Sequence, residues 1–276
     1  MVAKALIFDV DGTIAETERD GHRVAFNQAF AAAGLDWDWS IATYGELLEI
    51  SGGKERIRHY LEQYLEQYLE QYLEQYLEHY PEQHPKPEHY PPAIPQDPSA
   101  LTSWIKQLHL DKSRRYGQIL SQGTIAARPG VIRLIQEARS AGVRLAIATT
   151  SALDNALTVL QTALAPDAPD WFEVIAAGDI VATKKPDPAI YRYVLEQMQL
   201  NPQDCIVFED SAQGVQAATG AGLPTIVTVN GYTHNHDFSG ATWVLSDLGE
   251  PDQPCSVISG NLTPPYYVDL NRLPTP

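Results

Sequence analysis

The stretch "IFDVDGT", Ile7 to Thr13, closes an apolar run with two aspartates and a glycine. Side chains of an extended chain alternate with period two, so Asp9 and Asp11 share one side as the strand runs out. Gly12 then permits a sharp turn. Two carboxylates at such a place can face the crevice beyond the carboxyl end of a sheet, where open α/β sheets bind ligands. Taken alone, the pair suits an ordinary turn equally well, because aspartate is a turn former. The rest of the chain decides between these readings.

Short apolar runs recur at Ala5 to Phe8, Arg144 to Ala148, Glu173 to Ala176, Ile206 to Phe208 and Thr225 to Val229. Between them lie helix-like stretches at Ser151 to Leu164, Asp187 to Leu200 and Ser211 to Ala221, with Asp or Ser near each start and Gly222 after the last. Continuous apolar runs alternating with helices predict an α/β, Rossmann-like parallel sheet with helices on both faces. The interval from the first run to the second is the exception. It holds no convincing buried strand and far exceeds one crossover, so it predicts an inserted helical cap domain. The expected division is a core of residues 1–15 and 128–249, a cap of 16–127 and a C-terminal, proline-rich extension of 250–276.

Inside the cap, residues 60–79 read "YLEQYLEQYLEQYLEQYLEH", four tetrapeptides and a near copy. Leu, Glu and Gln are good helix formers, and five copies would make a helix about 30 Å long. Each step of four advances roughly 40° beyond a turn, so the Tyr-Leu stripe spirals and suits no single packed face. Glutamates also recur at i,i+4 and repel. The repeat is therefore expected to be a surface expansion of a cap helix, with its tyrosines and leucines available for weak association of an otherwise monomeric chain. Prolines from Pro81 to Pro98 predict an extended linker over 81–98.

A formal charge of −16 over 276 residues argues against nucleic acid and anionic membranes as partners. No apolar run approaches the roughly 20 residues needed to cross a bilayer, and the opening is too short and acidic for a signal peptide. A cytoplasmic location is expected. Cys205 and Cys255 lie in no metal-binding spacing.

Other strand ends and the loops beyond them carry chemistry too. "LAIATTS" delivers Thr149, "KKPDP" puts Lys185 in a loop before a helix, and "IVFEDS" ends on Glu209 and Asp210. Each has an ordinary reading as a strand residue, a solvated charge or a helix cap. Their joint placement, in this order and at carboxyl ends, makes coincidence a poor account.

In DVDGT, the strand-end Thr, the Lys before Pro and the ED pair, the chain resembles the haloacid dehalogenase superfamily. Members with two motif aspartates are mostly Mg²⁺-dependent phosphohydrolases. The resemblance implies Asp9 as nucleophile, forming an aspartyl-phosphate that divides a very slow hydrolysis into two easier steps. It implies Asp11 as the acid and base for the leaving oxygen and the attacking water. Mg²⁺ would be held by Asp9, the backbone carbonyl of Asp11, and Asp210, with Glu209 close by. Lys185 and Thr149 would hold the transferring phosphoryl group.

The cap's "SGGKERI" offers Gly53, Lys54 and Arg56, a glycine-rich turn with cations that suits either a second phosphate or a solvated helix start. Together with "AETERDGHRVAFN", "TYGELLEI", "RPGV", "ATTSALDN" and "NGYTHNHDFSGA", it resembles the CbbY-type branch, phosphatases of carbon-fixing organisms that act on xylulose 1,5-bisphosphate. That resemblance implies a small phosphorylated sugar as partner, with Glu18, Tyr44, Gly53, Lys54, Arg56 and Ser151 as its contacts. His22 reads more simply as a packed or surface residue, Arg128 as one that orients the hinge, and His234 to His236 as a loop rather than a metal cluster. Two alternatives stand beside the phosphatase: a sugar phosphomutase of the β-phosphoglucomutase type, which keeps the same motifs, and an interaction scaffold displaying the tetrapeptide helix.

Overall fold

The computed structural model describes residues 3–50, 52–79 and 94–274, with backbone only for 68–79. Its sheet has seven strands: β1 (Ala5–Phe8), β2 (Arg144–Thr149), β3 (Val174–Ala177), β4 (Cys205–Glu209), β5 (Thr225–Thr228), β6 (Trp243–Leu245) and β7 (Val257–Ser259). They lie in the order β3-β2-β1-β4-β5-β6-β7. β1 is central, pairing in parallel with β2 through Phe8 opposite Ile147 and with β4 through Phe8 opposite Phe208. This order sets the carboxyl ends of β2, β1, β4 and β5 side by side.

Two compact units divide the chain, Met1–Gly21 with Ile119–Pro276, and His22–Gln118. The boundaries therefore fall at 22 and 118, not at the expected 16 and 127. Among its described residues the second unit holds helices and no strand: α1 (Arg23–Ala32), α2 (Ile41–Leu47), α3 (Gly53–His79) and most of α4 (Pro98–Ser121). Its centre is aromatic. Phe26 and Phe30, one helical turn apart on α1, meet Trp39 at 4.6 and 4.8 Å between ring centroids.

The repeat enters this centre. Leu61 is 1% exposed, Tyr60 packs at 5.3 Å from both Trp37 and Trp39, and the Tyr64 hydroxyl donates to Asp36 at 3.1 Å. Its first turn is thus core, which corrects the reading of all of 60–79 as a surface expansion. α4 begins at Pro98, inside the stretch expected to be a linker. A proline fits the first helical position because it lacks an N–H that would need a partner there. Asp97 caps the turn, accepting from the Ser99 and Ala100 amides at 3.1 and 2.8 Å. Residues 80–93 of the proline-rich stretch lie outside the described residues.

In the first unit, α5 (Val131–Ser140) contacts β2, and α6 (Leu153–Val159), extended by a π turn at Leu160–Leu164, contacts β3. α7 (Ala189–Met198) and α8 (Ala212–Gly220) cover one sheet face, where Ile190, Tyr191, Val194 and Ala218 pack on Ile7, Ala148 and Val207. Each large apolar side chain so buried contributes about 1.5–3 kcal/mol. The alternate residues Phe8 and Phe208 stack at 4.5 Å. Two points differ from expectation. The stretch after Gly249 supplies β7, so it is part of the sheet and not only an extension, and β7 pairs antiparallel with β6, so the sheet is mostly but not wholly parallel. Among the described residues, no helix is long and apolar enough to cross a membrane.

Candidate active site

Asp9 is the first residue beyond β1, and its amide still donates to the Phe208 carbonyl at 3.0 Å. That bond keeps its side chain at the buried carboxyl edge. Lys185, from the loop before α7, reaches it: Nζ lies 2.7 Å from Asp9 Oδ1, 2.6 Å from Glu209 Oε1 and 2.9 Å from the Ala148 carbonyl. One ammonium so ties the ends of β1, β2 and β4. Glu209 Oε1 also accepts from the Tyr191 hydroxyl, and Oε2 accepts from the Asp210 amide at 3.3 Å. No protein donor among the described residues takes Asp9 Oδ2.

Asp9, Glu209 and Asp210 each offer a carboxylate oxygen within 4.8 Å of the others, and all three are buried. Burial, opposed by Lys185, pushes the Asp9 carboxyl up to about 8. Burial and the neighbouring Asp9 and Glu209 raise Asp210 well above the usual carboxylate range. Burial disfavours the Lys185 ammonium, but Asp9 and Glu209 outweigh it and hold the charge. Three buried carboxyls against one lysine offer hard oxygen donors whose ionisation a divalent cation would favour, which fits Mg²⁺. Asp210 is held by Asn230, whose Nδ2 donates to Oδ2 at 2.7 Å. Gly12 completes the packing: at φ +83°, a Cβ there would collide with Asp210 and lie 2.8 Å from Asn230 Nδ2.

The Asp11 carboxylate stands outside that group. Thr17 Oγ1 donates to its Oδ1 and Ser151 Oγ to its Oδ2. Ser151, expected to touch substrate, here gives its hydroxyl to Asp11. Thr149 is buried at the end of β2, and its Oγ1 accepts from the Ser151 amide at 3.1 Å. Seven of the sequence candidates, Asp9, Asp11, Thr149, Ser151, Lys185, Glu209 and Asp210, are therefore joined at one sheet edge.

Glu18, in the first unit, starts a π turn, Glu18–His22. In the second unit, Arg56 donates to the Leu47 carbonyl at 2.8 Å, the Tyr44 hydroxyl at 3.2 Å and the Ile50 carbonyl at 3.3 Å, while Lys54 is exposed. Gly53 lies against His109, which a Cβ would strike. His22 stacks on Tyr116 at 3.7 Å, and its Nδ1 is 2.5 Å from Lys112 Nζ. His236 Nδ1 faces the Ala212 amide at 3.4 Å, and neither His234 nor His236 joins a metal-competent group among the described residues. Sequence reading missed Asn230, Tyr191, Gly214 and Thr17. Of these, Asn230 lies two residues beyond β5, but nothing local marks it as the partner of Asp210.

The sequence model of haloacid dehalogenase-like hydrolases matches residues 3–222. Protein CbbY of Cereibacter sphaeroides is 41% identical over 247 residues, covering 90% of this chain and 93% of that protein. Among solved structures, a mutant CbbY from Rhodobacter sphaeroides in complex with xylulose-(1,5)bisphosphate superposes with a TM-score of 0.69 at 40% identity, covering 90% of this chain and 95% of its own. A putative β-phosphoglucomutase from Thermotoga maritima follows at 0.54 and 25% identity, covering 82% and 86%. A buried aspartate at the sheet edge with its lysine and acidic pair, in a sequence that matches over most of its length, places this chain in the haloacid dehalogenase-like hydrolase family.

Proposed function

We propose that this chain is a Mg²⁺-dependent sugar-phosphate phosphatase working through an aspartyl-phosphate on Asp9, with xylulose 1,5-bisphosphate as substrate and xylulose 5-phosphate and phosphate as products. One observation carries the mechanism: two carboxylates two residues apart hold different places at the sheet edge. Asp9 belongs to the buried acidic group and bonds the Lys185 ammonium, whereas Asp11 stands outside that group and accepts from the hydroxyls of Thr17 and Ser151. Such contrast is how one site separates a nucleophile from an acid and base.

In the first step Asp9 Oδ2 bonds to phosphorus as the bond to the sugar oxygen breaks, and Asp11 gives that oxygen a proton. In the second, Asp11 takes a proton from water as the water oxygen bonds to phosphorus and Asp9 leaves. Lys185 stays on Oδ1, placing positive charge beside the transferring group, and Thr149 offers a hydroxyl there. Mg²⁺ held by Asp9, Asp210 and the Asp11 carbonyl, with Glu209 adjacent, would reduce repulsion between the nucleophile and the phosphate.

The bisphosphate assignment is supported by the ligand of the Rhodobacter sphaeroides CbbY complex. Under this reading Glu18, Tyr44, Gly53, Lys54, Arg56 and Ser151 serve the sugar and its second phosphate. Arg56 retains two of its five N–H donors beyond the three bonds described. The mutase reading draws on the Thermotoga maritima neighbour. A phosphate-release screen with Mg²⁺ over sugar bisphosphates and monophosphates tests both, with Asp9→Asn as control. Preferred release from a ketopentose bisphosphate is the expected result. Interconversion of monophosphates without net release would sink hydrolysis, and equal rates on small aryl phosphates would sink the bisphosphate assignment.

A further inference from the structure

Arg128 is 8% exposed, and every nitrogen of its guanidinium is engaged. Nη1 donates to the Gly12 carbonyl, to the Thr228 carbonyl at 2.9 Å and to the Thr228 hydroxyl at 3.3 Å. Nη2 donates to the carbonyls of Val229 at 2.5 Å and Ser246 at 2.8 Å. Nε pairs with Glu16 Oε1 at 3.2 Å. The side chain thus gathers carbonyls from the loop after β1 and from the ends of β5 and β6. Its backbone is fixed too, the amide donating to the Ile14 carbonyl at 2.8 Å.

Two of these points lead to the acidic group. The Asp11 carbonyl and the Gly12 N–H belong to one rigid peptide plane. Gly12 donates from that plane to the Ala15 carbonyl at 2.8 Å, and its own carbonyl is taken by Arg128, so both sides of Gly12 are pinned. The Val229 carbonyl immediately precedes Asn230, the donor that orients Asp210. We propose that Arg128 is a positioning residue that sets the divalent-cation affinity of the site, by holding the Asp11–Gly12 peptide and Asn230 in register. It acts through these groups and touches no reacting atom. Lysine cannot replace it, because the acceptors here, four carbonyls, a hydroxyl and the Glu16 carboxylate, outnumber the three N–H donors of an ammonium and are spread around a planar fork.

The inference rests on the reading of Asp9 and Asp210 as metal ligands. It is tested by titrating full-length protein with Mn²⁺ and following free Mn²⁺ by electron paramagnetic resonance, alongside the Mg²⁺ dependence of phosphate release. R128K is expected to weaken Mn²⁺ binding about 10–100-fold, as loss of such supporting contacts does elsewhere. It should raise the half-activating Mg²⁺ concentration likewise, leaving KM for the sugar phosphate at saturating Mg²⁺ near wild type. N230A should act in the same direction, and the double variant should bind little worse than R128K alone, since the two share a route. Folded R128K with wild-type Mn²⁺ affinity, or effects of R128K and N230A that add fully, would overturn the proposal. If R128K does not fold, wild-type Mn²⁺ affinity in N230A overturns it, and weakened affinity supports it. A wild-type protein that binds Mn²⁺ but releases no phosphate would refute the phosphatase reading and leave this inference standing.

Discussion

Gly214 occupies the third position of α8, inside the turn capped by Ser211. At an ordinary helical position alanine is favoured over glycine by about 1 kcal/mol, so local rules make Gly214→Ala stabilising. The structure reverses the sign. A Cβ at 214 would sit against Oε1, Oε2 and Cδ of Glu209, all well inside the 3.0 Å that real Cβ atoms respect. Glu209 has little freedom to retreat: it is 1% exposed, and its carboxylate is bound by Lys185, Tyr191 and the Asp210 amide. Overpacking a core costs about 1–3 kcal/mol, and breaking a buried ion pair about 3–5 kcal/mol. The clash disturbs the Lys185 pair without removing it, so a total cost near 3–4 kcal/mol against a gain near 1 leaves about 2–3 kcal/mol of net destabilisation. For a chain of this size that lowers Tm by about 4–10 °C. Gly117, in α4, is the control, since nothing lies within 4 Å of its would-be Cβ. Gly117→Ala should stabilise by up to about 1 kcal/mol. Thermal melts by far-UV circular dichroism compare the two, with phosphate release measured in parallel, which Gly214→Ala should also depress. A Gly214→Ala protein melting at or above wild type would refute the reasoning.

Two further outcomes follow from the second unit. Because the four perfect tetrapeptides are identical, deleting any two copies yields the same chain, in which surviving copies still supply Tyr60, Leu61 and Tyr64. Tm and phosphate release should therefore hold, whereas Leu61→Ala should cost about 2–5 kcal/mol. A shortened chain melting as low as Leu61→Ala would contradict this. His109 is depressed to about 4, by burial first and then by Lys112 and Lys54. In the unfolded chain it titrates near 6.5, so between about 6.5 and 4 only the unfolded state takes the proton. Its contribution is complete above pH 6.5 and declines as pH falls toward 4. Urea unfolding at pH 7 and pH 5 should show a smaller stability loss for His109→Gln than for wild type, and equal losses would exclude His109 as the source.

The carboxyl-edge residues were legible because their signals are local. Strand period and a following turn place Asp9 and Asp11 together, and the same logic puts Thr149, Glu209 and Asp210 at strand ends. The roles of Ser151, Tyr191, Asn230 and Arg128 carried no such signal. The Ser151 bond to Asp11 arises only where the fold joins β1 and β2, and Arg128 meets its carbonyls only where β5 and β6 present them. The tetrapeptide misled for a related reason. Its period shows that no single face can pack along its length, but nothing in it reveals that Trp37 and Trp39 wait for its first turn.

Sequence alone determined the α/β class, the helical insertion and the placement of acidic residues at strand ends, since helical and strand periodicity and turn chemistry act over a few neighbours. Only the tertiary structure decided which carboxylate meets which cation. The order β2-β1-β4-β5 joins Lys185 to Asp9 across 176 residues and Arg128 to Gly12 across 116, and no local pattern encodes such pairings.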